Sequence, residues 1–141
     1  MEVLDVHVGL QGHSKIDFDK RLVNRELLVQ GRRVQRTARR LVARKAVSEA
    51  GQFPGKQTGA LQKAIDLVKP RSKLGFWIKV EPTTAKIKRT GKIYYPAILF
   101  HGSKKRSIEP RGNYMVAALE ANRAAIRAGL SAMLSVALVP R

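Results

Sequence analysis

The sequence Tyr94-Tyr95-Pro96-Ala97-Ile98-Leu99-Phe100-His101-Gly102 is the densest apolar and aromatic run of an otherwise basic, alanine-rich chain. Proline fits the first turn of a helix, where its missing N–H costs nothing, and glycine fits just past a helix end, where a positive φ is needed. We therefore expect a strand ending near Tyr95 and a helix of one or two turns from Pro96 to His101. The alternative is a continuous strand to Phe100, which Pro96 permits only at a sheet edge. In either case we expect the run to be buried beneath the other elements.

The rest of the chain is unusually cationic. It carries 28 Lys and Arg against 10 Asp and Glu, a formal net charge of +18. A magnitude of about 2–8 is usual for a small domain. Because self-repulsion at this level destabilises a compact state, the charge predicts a polyanionic neighbour: nucleic acid, an acidic protein surface or anionic lipid. The alternative is a surface that serves solubility alone.

Length and composition predict one folded domain, which we place at residues 1–137. The chain has 141 residues, 44% of them hydrophobic, and no cysteine, which excludes disulfides and thiolate metal sites. No run approaches the roughly 18 apolar residues of a membrane span, and Met1–Asp5 lacks the pattern of a signal peptide. Residues 138–141 (Leu-Val-Pro-Arg) match what a common thrombin-cleavage linker leaves after cutting. We treat them as a candidate expression remnant and leave them out of the fold prediction.

The longest helical pattern runs from about Asp17 to Val47, with Ser14 or Asp17 as the N-cap. Its length would be about 45 Å at 1.5 Å per residue. Gly31 falls within the apolar stripe and marks a kink or a close helix crossing. The stripe has helical spacing and consists of Val23, Leu27, Val34, Ala38 and Leu41, widened by Val42 and Ala46.

The opposite face of this helix is almost wholly basic. Solvated faces usually mix charges at i,i+4 spacing, and this face does not. We therefore predict that it meets DNA phosphates or an acidic partner, with a plain solvated face as the alternative. Its residues are Arg25, Arg32, Arg33, Arg36, Arg39, Arg40, Arg44 and Lys45.

Shorter elements fill the rest of the chain. Leu4–Leu10 alternates as a strand, 50–57 is a loop, and Thr58 caps a helix from Gly59 to Val68. Three further elements complete this part: a strand Gly75–Val80, a turn Glu81–Thr84, and a Lys-rich strand Ala85–Ile93 that pairs with the first as an antiparallel hairpin.

A compact basic loop, Ser103–Ser107, precedes the last helix and contains Lys104, Lys105 and Arg106. The last helix runs from Asn113, a good N-cap, to about Val136. We expect it to pack beside the first helix against one face of the sheet. The predicted fold class is therefore α+β, with a long N-terminal helix and a C-terminal helix packed on a small antiparallel sheet. The apolar side of the last helix is Met115, Ala118, Leu119, Ala125, Ile126, Leu130, Met133 and Leu134.

No catalytic, metal or cofactor motif stands out in the sequence. There is no glycine-rich phosphate loop, no Ser–His–Asp pattern and no helical pair of histidines. A carboxylate dyad of Glu81 and Glu109 and a metal pair of His7 and His13 are weak alternatives. The aromatic side chains Trp77, Tyr94, Tyr95 and Phe100 suit a core better than a base-stacking platform. We therefore predict a protein that is not an enzyme and needs no cofactor or metal.

Three separated pieces, in order, resemble the neck or tail-completion proteins that join head to tail in long-tailed bacteriophages. Pro54 with Thr58-Gly59-Ala60-Leu61 resembles that family's opening motif, and Tyr95–Gly102 resembles its "Tyr-Ala-x-x-x-Glu-x-Gly" box. Ile108-Glu109-Pro110 followed by Met115 and Leu119 resembles its entry to the last helix. The sequence departs from the family at Phe100, where the box is acidic, and at 112–114, which replace a Pro-Phe pair.

The resemblance implies a structural virion protein with an α+β fold. Such proteins form oligomers, commonly rings, and bridge connector or head-closure proteins to the tail tube around the DNA channel. They are assembled in the host cytoplasm. The positions carried over as structural are Thr58, Gly59, Leu61, Tyr95, Gly102, Pro110 and Leu119.

We accordingly expect a homo-oligomer at the phage head–tail junction whose basic residues face double-stranded DNA or an acidic partner. The alternative is a monomeric, sequence-nonspecific nucleic-acid-binding protein, although no recognition signature is present. A small ribonuclease built on His101, Lys104 and Arg106 is a third hypothesis.

Overall fold

The structure is a computed structural model, and it describes residues 16–44, 47–56, 59–71, 76–83 and 95–140. The predicted α+β class, with two long helices and a small antiparallel sheet, is confirmed. In chain order the elements are β1 Ile16–Phe18, α1 Lys20–Leu41, α2 Ala60–Ala64, β2 Ile65–Val68, β3 Lys79–Pro82, α3 Tyr95–His101, a 3-10 turn Lys104–Arg106, α4 Tyr114–Ala137 and β4 Leu138–Pro140.

The helix α1 is the centre of the fold, because it contacts α4 on one side and the β2–β3 sheet on the other. It runs antiparallel to α4. At one end the N–H of Asp19 donates to the carbonyl of Ala137 at 2.9 Å. Further along, the side-chain amide of Asn122 donates to the hydroxyl of Thr37 at 2.9 Å. The two long helices therefore pack side by side, as expected, with α1 as the layer next to the sheet.

A single apolar cluster holds these layers together. Ile65, at the start of β2, and Val42, just past α1, are its largest fully buried side chains. Burying an aliphatic side chain of this size stabilises a fold by about 1.5–3 kcal/mol. The other buried members are Val34, Ala38, Leu61, Leu99, Tyr114 and Ala118.

The first helix is shorter than predicted, with 22 residues rather than the whole of Asp17–Val47. Its N-cap is Asp19, whose carboxylate accepts from the N–H of Arg21 at 2.9 Å and of Leu22 at 3.4 Å. Asp17 lies in β1 instead, and Ser14 is outside the described residues. The helix ends at Leu41, and beyond it the N–H of Lys56 donates to the carbonyl of Arg44 at 2.6 Å.

The helix predicted over Gly59–Val68 is wrong in its second half. The helix α2 ends at Ala64, and Ile65–Val68 forms β2, paired with β3 in the register Ile65 to Pro82 and Val68 to Lys79. A helix here would leave the carbonyl of Asp66 without a donor, because Pro70 has no N–H. Gly59, at φ 76°, occupies the N-cap position, and Thr58 lies outside the described residues.

The third strand is displaced by several residues from the predicted Gly75–Val80. β3 covers Lys79–Pro82, so the turn predicted at Glu81–Thr84 is also wrong. Pairing with β2 keeps this segment extended past Pro82, and the N–H of Thr83 donates to the carbonyl of Ala64 at 2.8 Å. The described partner of β3 is β2; the predicted partner Ala85–Ile93 lies outside the described residues, as does the strand predicted at Leu4–Leu10.

The run around Pro96 is helical, which rules out the continuous strand. α3 begins at Tyr95, one residue earlier than expected, and Gly102 follows it at φ 73°. Pro96 and Leu99 are buried, whereas Phe100 is 47% exposed, so the run is buried on one side only. Trp77 is also 47% exposed, and the core position expected for these two aromatic side chains is wrong.

The last helix matches its prediction closely. The side-chain oxygen of Asn113 accepts from the N–H of Met115 at 3.2 Å and of Val116 at 3.1 Å, which makes it the N-cap of α4. Leu119 and Leu134, predicted on the apolar side, are exposed. Residues 138–140, left out of the fold prediction, form β4 and pair antiparallel with β1.

The loop at 50–56 is irregular, as predicted, and it is tied to the segment that leads into α4. The N–H of Gly51 donates to the carbonyl of Pro110 at 3.0 Å, and the N–H of Gly112 donates to the carbonyl of Gln52 at 2.8 Å. A Cβ at Gly112 would lie 2.8 Å from the carbonyl oxygen of Gly51. Only glycine lets the two segments approach this closely.

Candidate polyanion-binding surface

A continuous row of arginine side chains follows the outer face of α1. Its members recur at intervals of four, four, three, four and four residues, the spacing that keeps side chains on one face of a helix. Between its first and last members, Arg21 and Arg40, the row rises about 29 Å at 1.5 Å per residue. We call this row the arginine stripe; it consists of the exposed residues Arg21, Arg25, Val29, Arg32, Arg36 and Arg40.

The packing of α1 fixes which way the stripe faces. On one flank, Thr37 accepts a hydrogen bond from Asn122 of α4. On the other flank, the amide of Gln35 donates to the carbonyl of Ile65 at 3.1 Å and to the carboxylate of Asp66 at 3.2 Å. The stripe lies on the side of α1 between these two contacts, and its residues face solvent.

No acidic residue neutralises the stripe among the residues that the structure describes. Asp19 caps α1 with its carboxylate. Glu26 is half-buried and accepts from the amide of Gln30 at 2.6 Å. The salt bridges in the described ranges, Lys79–Glu81 and Arg123–Glu120, lie on other elements. Within the described ranges, five arginines on one face of α1 therefore face solvent without an acidic partner.

Three arginines predicted for this surface, Arg33, Arg39 and Arg44, are placed differently from the stripe. Arg39 is half-buried, and its guanidinium donates to the carbonyl of Ile65 from Nε at 3.1 Å and from Nη2 at 2.8 Å. Arg33 is also half-buried. Arg44 is exposed but lies beyond the end of α1, and Lys45 is outside the described residues. Of the predicted arginines, Arg25, Arg32, Arg36 and Arg40 are thus brought together.

Two members of the stripe were not predicted from the sequence. Arg21, its first arginine, lies four residues before Arg25, so the spacing identifies it once the helix is known to begin at Lys20. Val29 is the other, and it is 41% exposed in the middle of the stripe. Its apolar side chain gave no signal for an exposed position.

The second predicted basic cluster, Lys104, Lys105 and Arg106, lies on the 3-10 turn after α3, and all three residues are exposed. Ser103 and Ile108 pair at the base of this turn, and Ser107 closes it at φ 51°. In the described part of the chain no hydrogen bond or salt bridge joins this turn to the arginine stripe. It is a separate basic feature.

Several residues of the family-like motifs contribute to core packing or to backbone hydrogen bonds. Leu61 is buried in the core, and Gly102 ends α3 with an N–H that donates to the carbonyl of Ile98 at 2.8 Å. A Cβ at Gly102 would lie 2.8 Å from the carbonyl oxygen of Ile108. Pro110 accepts from Gly51, whereas Leu119 is 46% exposed. Leu119 is therefore a motif residue of a type usually buried that the fold leaves uncovered.

One cavity lined by described residues carries no acid–base side chain. A shallow cavity of about 280 Å³ lies beside the end of α1, between Leu41, Arg44 and Phe53, and no carboxylate or histidine lines it. The same ranges contain no cluster of three or more His, Cys, Asp or Glu residues able to hold a metal ion. His101 is exposed at the end of α3. Among the described helices, none has the length and apolarity required to cross a bilayer.

Comparisons of the chain with protein-family models, with curated proteins and with solved structures find no match.

Proposed function

We propose that the protein is a structural component of a bacteriophage particle that forms a homo-oligomer at the head–tail junction. As a neck or tail-completion protein it would bridge connector proteins and the tail tube around the DNA channel. Its work would be assembly, so it needs surfaces that fit copies of itself and neighbouring proteins.

The placement of the three family-like pieces supports this proposal. They are far apart in the sequence, yet each contributes to the same buried cluster: Leu61 from the first, Leu99 from the second, and Ala118 next to the third. Segments that pack into one core must keep their order and spacing for that core to form. The three pieces occur in this chain in the order and spacing that the resemblance implies.

The observation that carries the oligomeric role is the uncovered aliphatic surface of α4. Val116 and Leu119 near its start are 50% and 46% exposed, and Leu134 and Val136 near its end are 37% and 70% exposed. Aliphatic side chains exposed along one helix suit an interface with another protein surface, because covering them removes apolar area from water. By helical spacing Val116, Leu119 and Leu134 fall on one side of α4, away from the residues that meet α1, which supports a second packing surface there.

Sedimentation velocity of the purified chain over a range of concentrations tests the proposal. We expect an oligomer, formed either alone or on mixing with the proteins encoded beside it. The double variant Leu119→Glu, Leu134→Glu should reduce the assembled fraction at least tenfold. The control variant Lys63→Gln, Lys69→Gln makes the same change of net charge at exposed positions on other elements, and it should assemble normally.

The proposal fails if the chain stays monomeric at all concentrations and electron microscopy never finds it in particles assembled with those neighbouring proteins. Unchanged assembly of the Leu119→Glu, Leu134→Glu variant would instead show that the subunits meet through a different surface.

A second candidate function is a monomeric protein that binds nucleic acid without sequence preference. The observation that favours it is the arginine stripe, which would serve a monomer equally well. A monomeric mass combined with duplex binding at low salt would support this candidate over the first, and no binding to random duplex DNA at low salt would eliminate it.

A further inference from the structure

We infer that the arginine stripe of α1 is a track for the sugar–phosphate backbone of double-stranded DNA. The inference rests on the proposed function for the setting in which the chain meets DNA, and it deepens that function by assigning the DNA-facing surface. Of the basic residues predicted to face a partner, it selects one row on one helix.

The composition of the stripe favours phosphate over an acidic protein. A protein interface has an apolar core surrounded by a polar rim. The stripe contains a single apolar residue, Val29, and is otherwise arginine along about 29 Å of helix. Positive charge repeated along a line of this length matches a polymer that carries one negative charge for about every 1.7 Å of duplex axis. Arginine also donates two parallel hydrogen bonds to a phosphate, which lysine cannot do.

The shape of the stripe favours backbone contact over base readout. A recognition helix reads base edges by entering the major groove, which is about 12 Å wide and admits one helix. In α1 both flanks are occupied, by Thr37 with Asn122 of α4 and by Gln35 with Ile65 of β2. Because α4 and the β2–β3 sheet pack against it, α1 does not project from the surface as a recognition helix does. The stripe is therefore better placed to contact phosphates than to insert into the groove.

The same geometry makes the contact weak and exchangeable. Contacts confined to phosphates carry no sequence information, and non-specific affinities at physiological salt are about 10⁻⁴–10⁻⁶ M. Such a surface lets a duplex slide past without stopping at any sequence, which suits a channel through which DNA moves. Arg39 does not take part, because its guanidinium is engaged with the carbonyl of Ile65.

The test measures binding of the full chain to a random-sequence 30-base-pair DNA duplex by fluorescence anisotropy between about 50 and 200 mM salt. Five phosphate contacts predict a slope of log K against log salt of about −4.5. The affinity for the duplex should therefore decrease about 500-fold over this salt range. The triple variant Arg25→Gln, Arg32→Gln, Arg36→Gln removes three contacts. The slope for this variant should be about −1.8, so its affinity for the duplex should decrease only about 12-fold over the same salt range.

The matched control is the triple variant Arg71→Gln, Arg123→Gln, Arg127→Gln, which removes the same charge from other elements. It should keep the slope of the unmodified chain. A second duplex of unrelated sequence should bind with the same affinity within about twofold, and a polyglutamate peptide should compete at least tenfold more weakly than DNA at equal charge. Circular dichroism confirms that the variants fold.

Several results would overturn the inference: no duplex binding at about 50 mM salt, equal loss of binding in both triple variants, a sequence preference above tenfold, or tighter binding of polyglutamate than of DNA. Sedimentation of the same variants separates this inference from the proposed function. If the chain assembles but the stripe variant binds DNA normally, the inference fails and the assembly role stands. If the stripe variant loses DNA binding but no chain assembles, the inference stands and the assembly role fails.

Discussion

The guanidinium of Arg39 and the carbonyl oxygen of Ile65 are joined by two hydrogen bonds, from Nε at 3.1 Å and from Nη2 at 2.8 Å. They connect the last turns of α1 to the first residue of β2, across 26 positions of sequence. The same carbonyl accepts from Gln35 at 3.1 Å. In a helix it would have accepted from the N–H of residue 69, so these side chains stabilise the change from helix to strand at Ile65.

We predict that Arg39→Met destabilises the protein, although it removes a charge from a strongly cationic chain. Hydrogen bonds from charged donors contribute about 1.5–3 kcal/mol, and solvent at this half-buried site reduces the expected loss to about 1–2 kcal/mol. Urea unfolding followed by circular dichroism measures it. The control Arg36→Met changes the charge equally at an exposed position and should stay within about 0.5 kcal/mol. Equal effects of the two variants would contradict a structural role for Arg39.

A second prediction compares two glycines that share a backbone conformation but differ in their surroundings. Gly51 has φ 75° with nothing within 4 Å of an added Cβ, whereas Gly102 has φ 73° and its Cβ would lie 2.8 Å from the carbonyl oxygen of Ile108. Gly51→Ala should therefore cost about 1 kcal/mol from backbone strain alone. Gly102→Ala should cost about 1–3 kcal/mol more, since the contact with the backbone cannot relax.

Thermal or urea unfolding of both alanine variants checks this comparison. Equal losses would show that the close approach behind α3 does not constrain Gly102, and that only its positive φ requires glycine there.

The two long helices and the N-cap of α4 could be predicted from local sequence, because their information is local, whereas the N-cap of α1 is Asp19 and not the predicted Ser14 or Asp17. The 3.6-residue pattern identified both long helices, Asn113 identified the start of α4, and Pro96 with Gly102 bounded α3. The strand at Ile65–Val68 could not be predicted this way. Its apolar residues also fit a helix, and the hydrogen bonds from Gln35 and Arg39 that favour the strand come from a distant part of the chain.

The candidate site was predictable to the same extent. Helical spacing alone placed Arg25, Arg32, Arg36 and Arg40 on one face. The inward role of Arg39 was not predictable, since the accepting carbonyl belongs to β2. The exposure of Leu119 was not predictable from the sequence either, because leucine is typical of a core position. The sector of α4 that α1 covers is the neighbouring one, where Ala118 and Asn122 are buried.

The N-cap of α4 gives a third prediction. The side-chain oxygen of Asn113 accepts from the N–H groups of Met115 and Val116, which have no partner inside the helix. Asn113→Ala should cost about 1 kcal/mol, and Asn113→Asp should keep most of the stability, because an aspartate also caps and interacts favourably with the helix dipole. Urea unfolding of both variants measures the difference. A loss in Asn113→Asp as large as in Asn113→Ala would show that the amide nitrogen of Asn113, rather than its oxygen, matters.

A close contact between the two long helices gives the fourth prediction. A Cβ at Gly129 of α4 would collide with the side chains of Gln30 and Glu26 of α1. Gln30 is buried, at 5% exposure, and its Oε1 has no hydrogen-bond partner in the described part of the chain. Gly129→Ala should therefore destabilise the protein by about 1–3 kcal/mol despite the better helix propensity of alanine.

Shortening the opposing side chain should relieve part of this loss. In a Gln30→Ala background, Gly129→Ala should cost at least about 1 kcal/mol less than it does alone, and that difference is the interaction energy of a double-mutant cycle. Gln30→Ala by itself should change the free energy of unfolding only slightly. It loses packing contacts, but it also removes a buried acceptor that has no partner in the described part of the chain. Urea unfolding of the four proteins measures the cycle. If the losses of the two single variants add up in the double variant, Gln30 does not constrain Gly129. The constraint would then come from Glu26, the other side chain within reach of the added methyl group.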